Sequence, residues 1–315
     1  MFISVQSFGL KPAVRTPNIA HVLFKKVTLV GVGLLGGSLG LALKRGRLAG
    51  SVTGFVRRAA SVKECELAGA VDVATRHLDE AVTGAELIVL CTPIAQMRPL
   101  LEQMLPSLAI NAIVTDVGSV KASVVKDLES LVAKAGAHFV GSHPMAGAEK
   151  TGVAWACADL FEDAVCVITP TPNSNHAAVR KVEQLWRAVG GRLLRLTPKV
   201  HDQLVSRSSH LPHVLAAQLA NIVLNPVHPK QQALLCANGF RDTTRIASGS
   251  PEMWRDIAVA NRDNLLRALR SFESELARFK AALRKGDSGA VSRFFQRAKR
   301  QRDSWSRKAG SASPE

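Results

Sequence analysis

The chain has 315 residues, 47% of them hydrophobic, which is enough to bury a full core and to form two domains. Its five cysteines are an odd number without a C-x-x-C spacing, which argues against a disulfide framework or a zinc ribbon and favours a reducing, cytoplasmic location. No apolar run approaches the roughly 20 residues that a membrane span requires, so we expect no membrane partner.

The formal net charge of +16 raises nucleic acid as a partner. Much of the excess lies late in the chain, where Arg293, Arg297 and Arg300 recur at helical spacing. That pattern is typical of the solvated face of a terminal helix, and neither an aromatic-interleaved RNA-binding motif nor a zinc finger accompanies it. We therefore expect no nucleic-acid partner, although a basic surface attracts anionic substrates and cofactors.

The first predicted strand, Val27–Val30, runs directly into a G-x-G-x-x-G turn, and a helix-compatible segment, 37–44, follows. Gly31 allows the tight turn, Gly33 lets the backbone approach a pyrophosphate, and Gly36 lets the helix close on the strand. The start of the helix offers free N–H groups and a positive dipole end to the phosphates. We predict a dinucleotide site formed by Gly31, Gly33, Leu34, Leu35 and Gly36.

The second predicted strand, Val52–Val56, ends where NAD enzymes place an Asp or Glu on the ribose 2′-hydroxyl. This chain has Val56 there, followed by Arg57 and Arg58. An acid would repel a 2′-phosphate, whereas guanidinium groups can bind it bidentately. The pattern predicts NADP as the cofactor, with NAD as a weaker one. The alternative is that the two arginines only form a solvated turn.

Strands and helices continue to alternate as far as Pro198. Further strands are predicted at Leu87–Thr92, Ala112–Val117, Phe139–Gly141, Ala164–Ile168 and Arg192–Leu196, and helix-like spacing occurs in 61–70, 95–108 and 120–136. This alternation is typical of an α/β fold with a mainly parallel, doubly wound Rossmann-type sheet, which we place in residues 25–198. Residues 1–24 lack the features of a signal peptide, and we interpret them as a loose N-terminal extension, with a transit peptide as the alternative.

Residues 199–305 are predicted to form an all-α second domain. Two long helices, Val200–Leu224 and Met253–Leu283, are joined by a stretch that contains Pro and Gly, and the second helix repeats apolar residues every three or four positions. Such a domain would complete the site and pack against a second copy of the chain. The remainder, 306–315, is rich in Ser, Gly, Pro and charge, and we expect it to be disordered.

Several strand ends are predicted to meet at the edge that holds the glycine turn, because ligands of open parallel sheets bind at the carboxyl ends of the strands. Thr92 and Pro93 follow one strand, Ser119 another and His143 a third. A histidine there suits a general base that accepts a hydroxyl proton while hydride leaves the same carbon, and Ser119 could bond the same hydroxyl. The alternatives are a histidine that only bonds its loop and a serine that only caps a helix.

The second domain contributes His210 and His213, which flank a Leu-Pro pair typical of a helix N-terminus, where the dipole would lower the imidazole pKa. No Cys or acid joins them at ligand spacing, so we expect no metal. Further on, GFRDTTR (239–245) and EMWRD (252–256) place Arg near Asp. We expect one of these arginines to form a structural ion pair and another to bind a carboxylate.

Five motifs occur in order between about Lys26 and the terminal helices: GVGLLGGSLG (31–40), DVGSVK (116–121), SHPMAGAEKTG (142–152), SHLPHVLA (209–216) and GFRDTTRIASGSPEMWRDI (239–257). Together they resemble the prephenate/arogenate (cyclohexadienyl) dehydrogenase family of tyrosine biosynthesis. The resemblance implies oxidative decarboxylation of prephenate, arogenate or both, to 4-hydroxyphenylpyruvate, tyrosine or both. Hydride would pass from the ring carbinol carbon to the nicotinamide as CO2 leaves. It also implies a homodimer through the helical domain.

The resemblance assigns His143 to the ring hydroxyl as the catalytic base, with Ser119 as its hydroxyl partner. His213 corresponds to the site histidine of the second domain, and His210 lies beside it. A neutral His143 can accept the carbinol proton, which suits this role. Aromatisation supplies most of the driving force, so the enzyme mainly positions groups and stabilises charge.

The resemblance also implies that Arg245 holds a substrate carboxylate with Asp242 as its local support, and Trp254 is a further substrate-binding candidate. One departure from the family pattern is Ala148, where many relatives carry Thr before Glu149. Prephenate has a keto acid in its side chain and arogenate an ammonium-bearing carbon. A nearby Glu149 carboxylate would therefore favour arogenate.

Two other functions are compatible with parts of the same pattern. An NADP-dependent β-hydroxyacid or imine dehydrogenase shares the sheet and the helical domain, but such enzymes usually rely on a lysine where this chain has histidines and arginines. A non-catalytic NADP-sensing module with a nucleic-acid partner is supported only by the net charge.

Overall fold

The structure is a computed structural model that describes residues 22–225, 227 and 229–311. Most of the predicted N-terminal extension and the last four residues of the predicted tail therefore lie outside the described residues. The first strand begins at Phe24, whose side chain is buried, so the sheet domain starts within the segment that we interpreted as an extension.

Within the described residues, eight strands form one sheet. In chain order they are β1 (Phe24–Val30), β2 (Ala49–Phe55), β3 (Val73–Thr75), β4 (Leu87–Leu90), β5 (Ile113–Asp116), β6 (His138–Pro144), β7 (Val165–Thr169) and β8 (Arg192–Arg195). Their order across the sheet is β3-β2-β1-β4-β5-β6-β7-β8, and neighbours are parallel except β6 and β7. The predicted doubly wound α/β sheet is confirmed, although the pattern did not reveal the short strand β3.

Helices cover the sheet and form the second half of the chain. The helices of the sheet domain are α1 (Leu34–Arg45), α2 (Ala59–Leu67), α3 (Leu78–Val82), α4 (Ile94–Met104), α5 (Ala122–Lys134) and α6 (His176–Ala188). Those of the helical domain are α7 (Pro198–Val205), α8 (Leu211–Val223), α9 (Lys230–Leu234), α10 (Asn238–Thr244), α11 (Pro251–Ala260), α12 (Arg262–Arg284) and α13 (Ser288–Ser311). A π-helical turn, Ser206–His210, joins α7 to α8.

Both faces of the sheet are buried. In β1, Val27 and Leu29 belong to the apolar cluster on one face, whereas Val30 belongs to the cluster on the other. All four residues of β4 are buried. Parallel strands show this pattern because their crossover helices cover both faces of the sheet. Each fully buried aliphatic side chain stabilises the fold by about 1.5–3 kcal/mol, so the sheet is a rigid support for the loops at its carboxyl edge.

The predicted helix Val200–Leu224 is interrupted by the π-helical turn. Pro212 lies in the first turn of α8, and proline has no N–H to donate to the preceding turn. A wide turn at this point lets the helical segment continue past the proline. His210 consequently lies inside a continuous helical segment and not at a free helix N-terminus, as the sequence pattern had suggested.

The predicted helix Met253–Leu283 is two helices, α11 and α12, separated at Asn261. The Asn261 side chain is buried, and its amide donates a hydrogen bond to the backbone carbonyl of Asp202, 2.9 Å away. This contact ties the break in the helix to α7. The stretch between the two predicted helices is also more regular than expected, because it contains α9 and α10.

The last helix, α13, packs on α12 through Phe279, Phe294 and Phe295, whose ring centroids lie 4.6–5.9 Å apart. It continues to Ser311, which corrects the expectation of disorder from 306 to that residue. The packing of aromatic rings stabilises the first half of α13 against α12. None of the helices in the described ranges is long and apolar enough to span a membrane.

Candidate active site

The glycine turn connects β1 to α1 at the carboxyl edge of the sheet. Gly31 has a φ of +97°, which favours glycine, and a Cβ at Gly36 would overlap the carbonyl oxygen of Gly31. No side chain caps α1, and its first turn contains no acidic residue. The first N–H groups of the helix have no intrahelical acceptor, so they can bind a phosphate.

A cleft of about 630 Å³ extends from this turn to the helical domain. The predicted site residues that line it are Gly33, Leu34, Leu35, Thr92, Pro93, Ser119, His143, Glu149, His213, Arg245 and Trp254. The predicted residues outside its lining are Gly31, Gly36, Arg57, Arg58, His210 and Asp242. The hydroxyl oxygen of Thr92 is buried and has no hydrogen-bond partner among the described residues. An unpaired polar atom beside an open helix N-terminus fits a bound dinucleotide.

The end of β2 has the arrangement predicted from the sequence, with one addition. Val56 is buried, whereas Arg57 and Arg58 are exposed. Arg58 forms an ion pair with Glu64 at 3.3 Å, and Arg76 donates a hydrogen bond from Nε to the carbonyl oxygen of Arg57 at 3.1 Å. Arg76 is thus a third guanidinium at this position that the sequence pattern did not reveal.

His143 lies in β6, close to its carboxyl end, and lines the cleft although its side chain is largely buried. Burial is the largest cause that lowers the pKa of His143 well below its usual value. The imidazole is therefore neutral at physiological pH. A neutral ring beside the cofactor turn can accept a proton.

Two residues behind His143 were missed in the sequence. His201 Nε2 lies 2.8 Å from His143 Nδ1, and His201 Nδ1 lies 2.8 Å from Asp202 Oδ1. The Asp202 carboxylate also accepts hydrogen bonds from the backbone N–H groups of Lys121 and Ala122, at 2.8 and 2.9 Å, and so caps α5. The available signal was a His-Asp pair in α7.

Ser119 faces the cleft in the loop between β5 and α5. The alternative that it serves only as a helix cap does not hold, since α5 begins at Ala122 and Asp202 supplies the capping oxygen atoms. Its hydroxyl lies in the same cleft as His143. The arrangement therefore suits a serine that bonds a ligand hydroxyl.

A buried ion pair lies beneath this loop. Lys121 and Asp116 form a salt bridge with both side chains fully buried, and the Lys121 ammonium also donates to the carbonyl oxygen of Ser142 at 2.8 Å. The second oxygen of Asp116 accepts a hydrogen bond from the Ser142 N–H at 3.1 Å. Burial lowers the pKa of Lys121, while Asp116 raises it. This pair locks the end of β5 to β6 and so positions the residues on either side of the cleft.

The two histidines of the helical domain have different surroundings. His213 lines the cleft, stacks on Trp254 with ring centroids 3.7 Å apart, and donates from Nδ1 to the carbonyl oxygen of Ser209 at 2.9 Å. His210 is buried away from the cleft, with Asn261 donating to its Nδ1 at 3.2 Å. Burial lowers the pKa of His210 to about 4. The cause is therefore burial and not the helix dipole that the sequence suggested.

Within the described ranges, no three His, Cys, Asp or Glu side chains are grouped so that they could hold a metal ion.

Arg245 forms an ion pair with Glu149 at the outer end of the cleft. Its side chain is 65% exposed, and that of Glu149 is 30% exposed. Asp242, which the resemblance implies as the local support of Arg245, is exposed and forms no salt bridge with any described residue, so its role stays a prediction. Arg255 forms the expected structural pair, with Asp256 at 2.7 Å. Glu149 is distant in the chain from Arg245, so local spacing did not predict this pair.

Both halves of the chain match one family of known proteins. Residues 39–195 match the family described as "Prephenate dehydrogenase, nucleotide-binding domain", and residues 197–297 match "Prephenate dehydrogenase, dimerization domain". The prephenate dehydrogenase of Bacillus subtilis (strain 168) is 34% identical to this chain over 88% of the chain and 75% of its own length. The chain belongs to the prephenate dehydrogenase family.

Solved structures of the family have the same architecture. The prephenate dehydrogenase from A. aeolicus, in complex with hydroxyphenyl propionate and NAD+, has a TM-score of 0.82 at 31% identity and covers 89% of this chain and 98% of its own. The arogenate dehydrogenase of Synechocystis has a TM-score of 0.74 at 31% identity, over 89% of this chain and 99% of its own. The resemblance seen in the sequence motifs is confirmed.

Membership of the prephenate dehydrogenase family makes the chain an oxidoreductase of tyrosine biosynthesis. Its sheet domain is the family's nucleotide-binding domain, and its helical domain is the family's dimerization domain. The match to this family excludes the alternative that the chain is a β-hydroxyacid or imine dehydrogenase. The match to the nucleotide-binding domain begins at residue 39, after the glycine turn, so the geometry of that turn is independent support for a nucleotide site.

Proposed function

We propose that this protein oxidatively decarboxylates prephenate, arogenate or both, with NADP as the preferred hydride acceptor, giving 4-hydroxyphenylpyruvate, tyrosine or both. The observation that carries the proposal is the position of His143, a buried neutral imidazole in the cleft that begins at the glycine turn. A base at that point lies next to the reactive end of a dinucleotide held by the turn. Arg245 at the other end of the cleft supplies a charge for an anionic substrate.

The cofactor-binding residues are the open start of α1 and the unpaired Thr92 hydroxyl. When bound, the cofactor supplies a nicotinamide that accepts the hydride. The relative from A. aeolicus was solved with NAD+, so a preference for NADP must come from residues of this chain. Support for that preference is the absence of an acid at buried Val56 and the exposed guanidinium groups of Arg57 and Arg58. Either guanidinium can bind a 2′-phosphate bidentately.

The chain's own part in the reaction is to move one proton and hold the substrate. His143 accepts the proton of the ring hydroxyl, and Ser119 bonds the same oxygen atom, so that hydride can leave the carbinol carbon. The ring carboxylate departs as CO2, and the ring becomes aromatic. Positioning is the main contribution of these residues, because aromatisation provides the driving force.

The outer end of the cleft holds the substrate's charged groups. The Arg245 guanidinium matches a carboxylate bidentately and is exposed enough to exchange Glu149 for a substrate. His213, stacked on Trp254, offers a flat wall and a ring nitrogen to the same ligand. Arg245 already offsets the charge of Glu149. The Glu149 carboxylate can therefore attract the ammonium group of arogenate only when its ion pair with Arg245 is broken.

We further propose a homodimer that forms through the helical domain, as the family description of this domain supports. The domain exposes large apolar side chains on its two long C-terminal helices: Leu266, Leu276, Leu283, Phe295 and Trp305. Exposed apolar groups of this size favour association. Sedimentation equilibrium should give twice the chain mass, and a monomer at micromolar concentration would contradict the proposal.

The reaction is tested by the growth of absorbance at the NADPH or NADH band with prephenate and with arogenate, each combined with NADP and with NAD. We expect turnover with at least one substrate and a higher kcat/KM with NADP. Absence of turnover in all four combinations would overturn the proposed reaction. Equal or better use of NAD would overturn only the cofactor preference.

The cofactor preference is tested further by the double variant Arg57→Ala/Arg58→Ala. Loss of two guanidinium groups should raise the KM for NADP by about tenfold or more, since each charged hydrogen bond contributes about 1.5–3 kcal/mol, and it should leave the KM for NAD almost unchanged. The double variant Arg180→Ala/Arg187→Ala, on exposed residues of α6, is a control with the same change in net charge. An equal rise for both cofactors would contradict the assignment.

A further inference from the structure

The hydrogen bonds behind His143 determine which of its ring nitrogens carries a proton. The Asp202 carboxylate has no proton to donate, and it accepts from the backbone N–H groups of Lys121 and Ala122. Its Oδ1 lies 2.8 Å from His201 Nδ1. His201 Nδ1 must therefore be protonated and must donate this hydrogen bond.

The same reasoning extends by one residue to His143. A neutral imidazole that is protonated on Nδ1 has only an acceptor at Nε2. His201 Nε2 lies 2.8 Å from His143 Nδ1, so His143 Nδ1 donates to it. His143 Nε2 is then left without a proton, and this is the state that a general base requires. The opposite arrangement, with a protonated His201 Nε2 donating to His143, would leave the His143 Nε2 position protonated and unable to act as a base.

We propose that Asp202 and His201 are positioning residues that hold His143 in its Nδ1–H tautomer and stabilise the positive charge that it gains during the reaction. The second part rests on the proposed function, because the proton comes from the ring hydroxyl. As the O–H bond breaks, the proton goes to His143 Nε2 and its electron pair forms the C=O bond, while the carbinol C–H pair leaves as hydride for the nicotinamide. When CO2 leaves, the electron pair of the broken C–C bond enters the ring, and the ring oxygen takes the proton back.

The charges around His143 favour this role for Asp202. The Lys121 ammonium is paired with the Asp116 carboxylate, so this buried pair carries no net charge. Burial lowers the pKa of His210 to about 4, so His210 is neutral when His143 is active. Asp202 is the acidic side chain that is hydrogen-bonded to His201, and its negative charge can therefore offset the charge of a protonated His143. Asp202 acts through His201, whose ring lies between the Asp202 carboxylate and the His143 ring.

The tautomer is tested in the unaltered full-length chain by ¹⁵N NMR of its histidines, with and without bound NADP. We expect the His143 signals to show a protonated Nδ1 and an unprotonated Nε2, assigned by comparison with His143→Asn. A protonated Nε2 would overturn the proposal. Because no substrate is needed, this result stands even if the protein turns over neither prephenate nor arogenate, and failure of the proposed function would appear separately in the absorbance assay.

The effect on the reaction is tested with two replacements of His201. His201→Gln keeps an oxygen atom that can accept from His143 Nδ1, whereas His201→Asn can still bond Asp202 but is too short to reach His143. For the Asn variant we expect kcat to fall about 100-fold or more with little change in KM. Loss of a hydrogen bond to the protonated ring should also move the acidic limb of the kcat/KM profile down by about one pH unit. His201→Gln should retain kcat within about tenfold.

A structural role alone would give a different pattern. It would lower the melting temperature of both variants and reduce kcat equally in both, without moving the acidic limb, and that result would overturn the proposal. His176→Asn, on an exposed residue at the start of α6, controls for general effects of losing a histidine. If His201→Asn does not fold, the kcat and pH profile of His201→Gln and the tautomer measured in the unaltered chain still decide between the two outcomes.

Discussion

The two ends of the cleft are built in opposite ways. The floor consists of groups that are buried and paired: Asp116, Lys121, His143, His201 and Asp202. The rim consists of charged groups that remain accessible to solvent, Glu149 and Arg245, and Arg57 and Arg58 are exposed beyond the lining of the cleft, after β2. Buried charges are costly to separate, whereas exposed pairs contribute about 0–1 kcal/mol. The comparison teaches that the groups proposed for proton transfer are held rigidly, while those proposed to select substrate and cofactor can exchange partners at little cost.

The largest expected effect comes from removing the base of the floor. His143→Asn should lower kcat by about 10²- to 10⁴-fold, because general base catalysis contributes about that much. The melting temperature should change little, since the replacement is smaller and polar. His138→Asn, on the partly buried histidine at the start of β6, is the control. Retention of the full rate by His143→Asn would show that another group accepts the proton.

Breaking the buried ion pair should destabilise the floor as a whole. Lys121→Met leaves the Asp116 carboxylate buried without its partner, which should lower the free energy of unfolding by about 3–5 kcal/mol in a urea titration. The double variant Asp116→Asn/Lys121→Met should recover much of this loss. Lys126→Met, on the exposed face of α5, is the matched control. A change as small as that of the control would mean that the pair is not a structural element of the floor.

The buried His210 should make stability fall as the pH falls. The folded protein binds a proton on His210 only near pH 4, whereas the unfolded chain binds it near pH 6.5. Between these values the unfolded state holds more protons on His210 than the folded state does. The neutral His210 therefore makes its full contribution to the free energy of unfolding above pH 6.5. That contribution is lost as the pH falls towards 4, by at most about 3 kcal/mol. The urea midpoint should therefore differ less between pH 6.5 and pH 4 for His210→Gln than for the unaltered protein. An equal change in both proteins would contradict the assignment.

A change at the rim should affect binding more than stability. Arg245→Gln should raise the KM for the substrate by about ten- to a hundredfold, since a charged hydrogen-bonded pair contributes about 1.5–3 kcal/mol. The free energy of unfolding should change by less than about 1 kcal/mol, because the pair with Glu149 is exposed. Arg255→Gln removes an arginine from a pair outside the cleft and serves as the control. An unchanged KM would remove Arg245 from the substrate site.

What the sequence could predict depended on how local the interaction is. The glycine turn could be predicted because its strand, turn and helix are consecutive in the chain. The position of His143 followed from the rule that the carboxyl ends of parallel strands lie at one edge of the sheet. The contacts of Asp202 could not be predicted, because it accepts hydrogen bonds from the backbone of Lys121 and Ala122, which lie 81 and 80 residues earlier in the chain. The spacing of apolar residues in the sequence gives no information about such a long-range contact.

The errors of sequence interpretation have the same physical origin. Arg245 pairs with Glu149, 96 residues earlier in the chain, and local spacing did not predict that pair. Apolar spacing predicted a continuous helix through Asn261, whose buried side chain instead bonds α7 and ends α11. Composition suggested disorder after Trp305, where α13 continues. At Asn261 a tertiary contact outweighed a local preference.

The position of Asp202 also has a mechanical consequence. The residue belongs to the first helix of the helical domain, yet its carboxylate is bonded to the chain between β5 and α5 in the sheet domain. These two bonds join the start of the helical domain to the loop that carries Ser119, so a movement of α7 away from that loop would break both of them. His201 is the neighbour of Asp202 in α7, so the same contact keeps its ring next to His143.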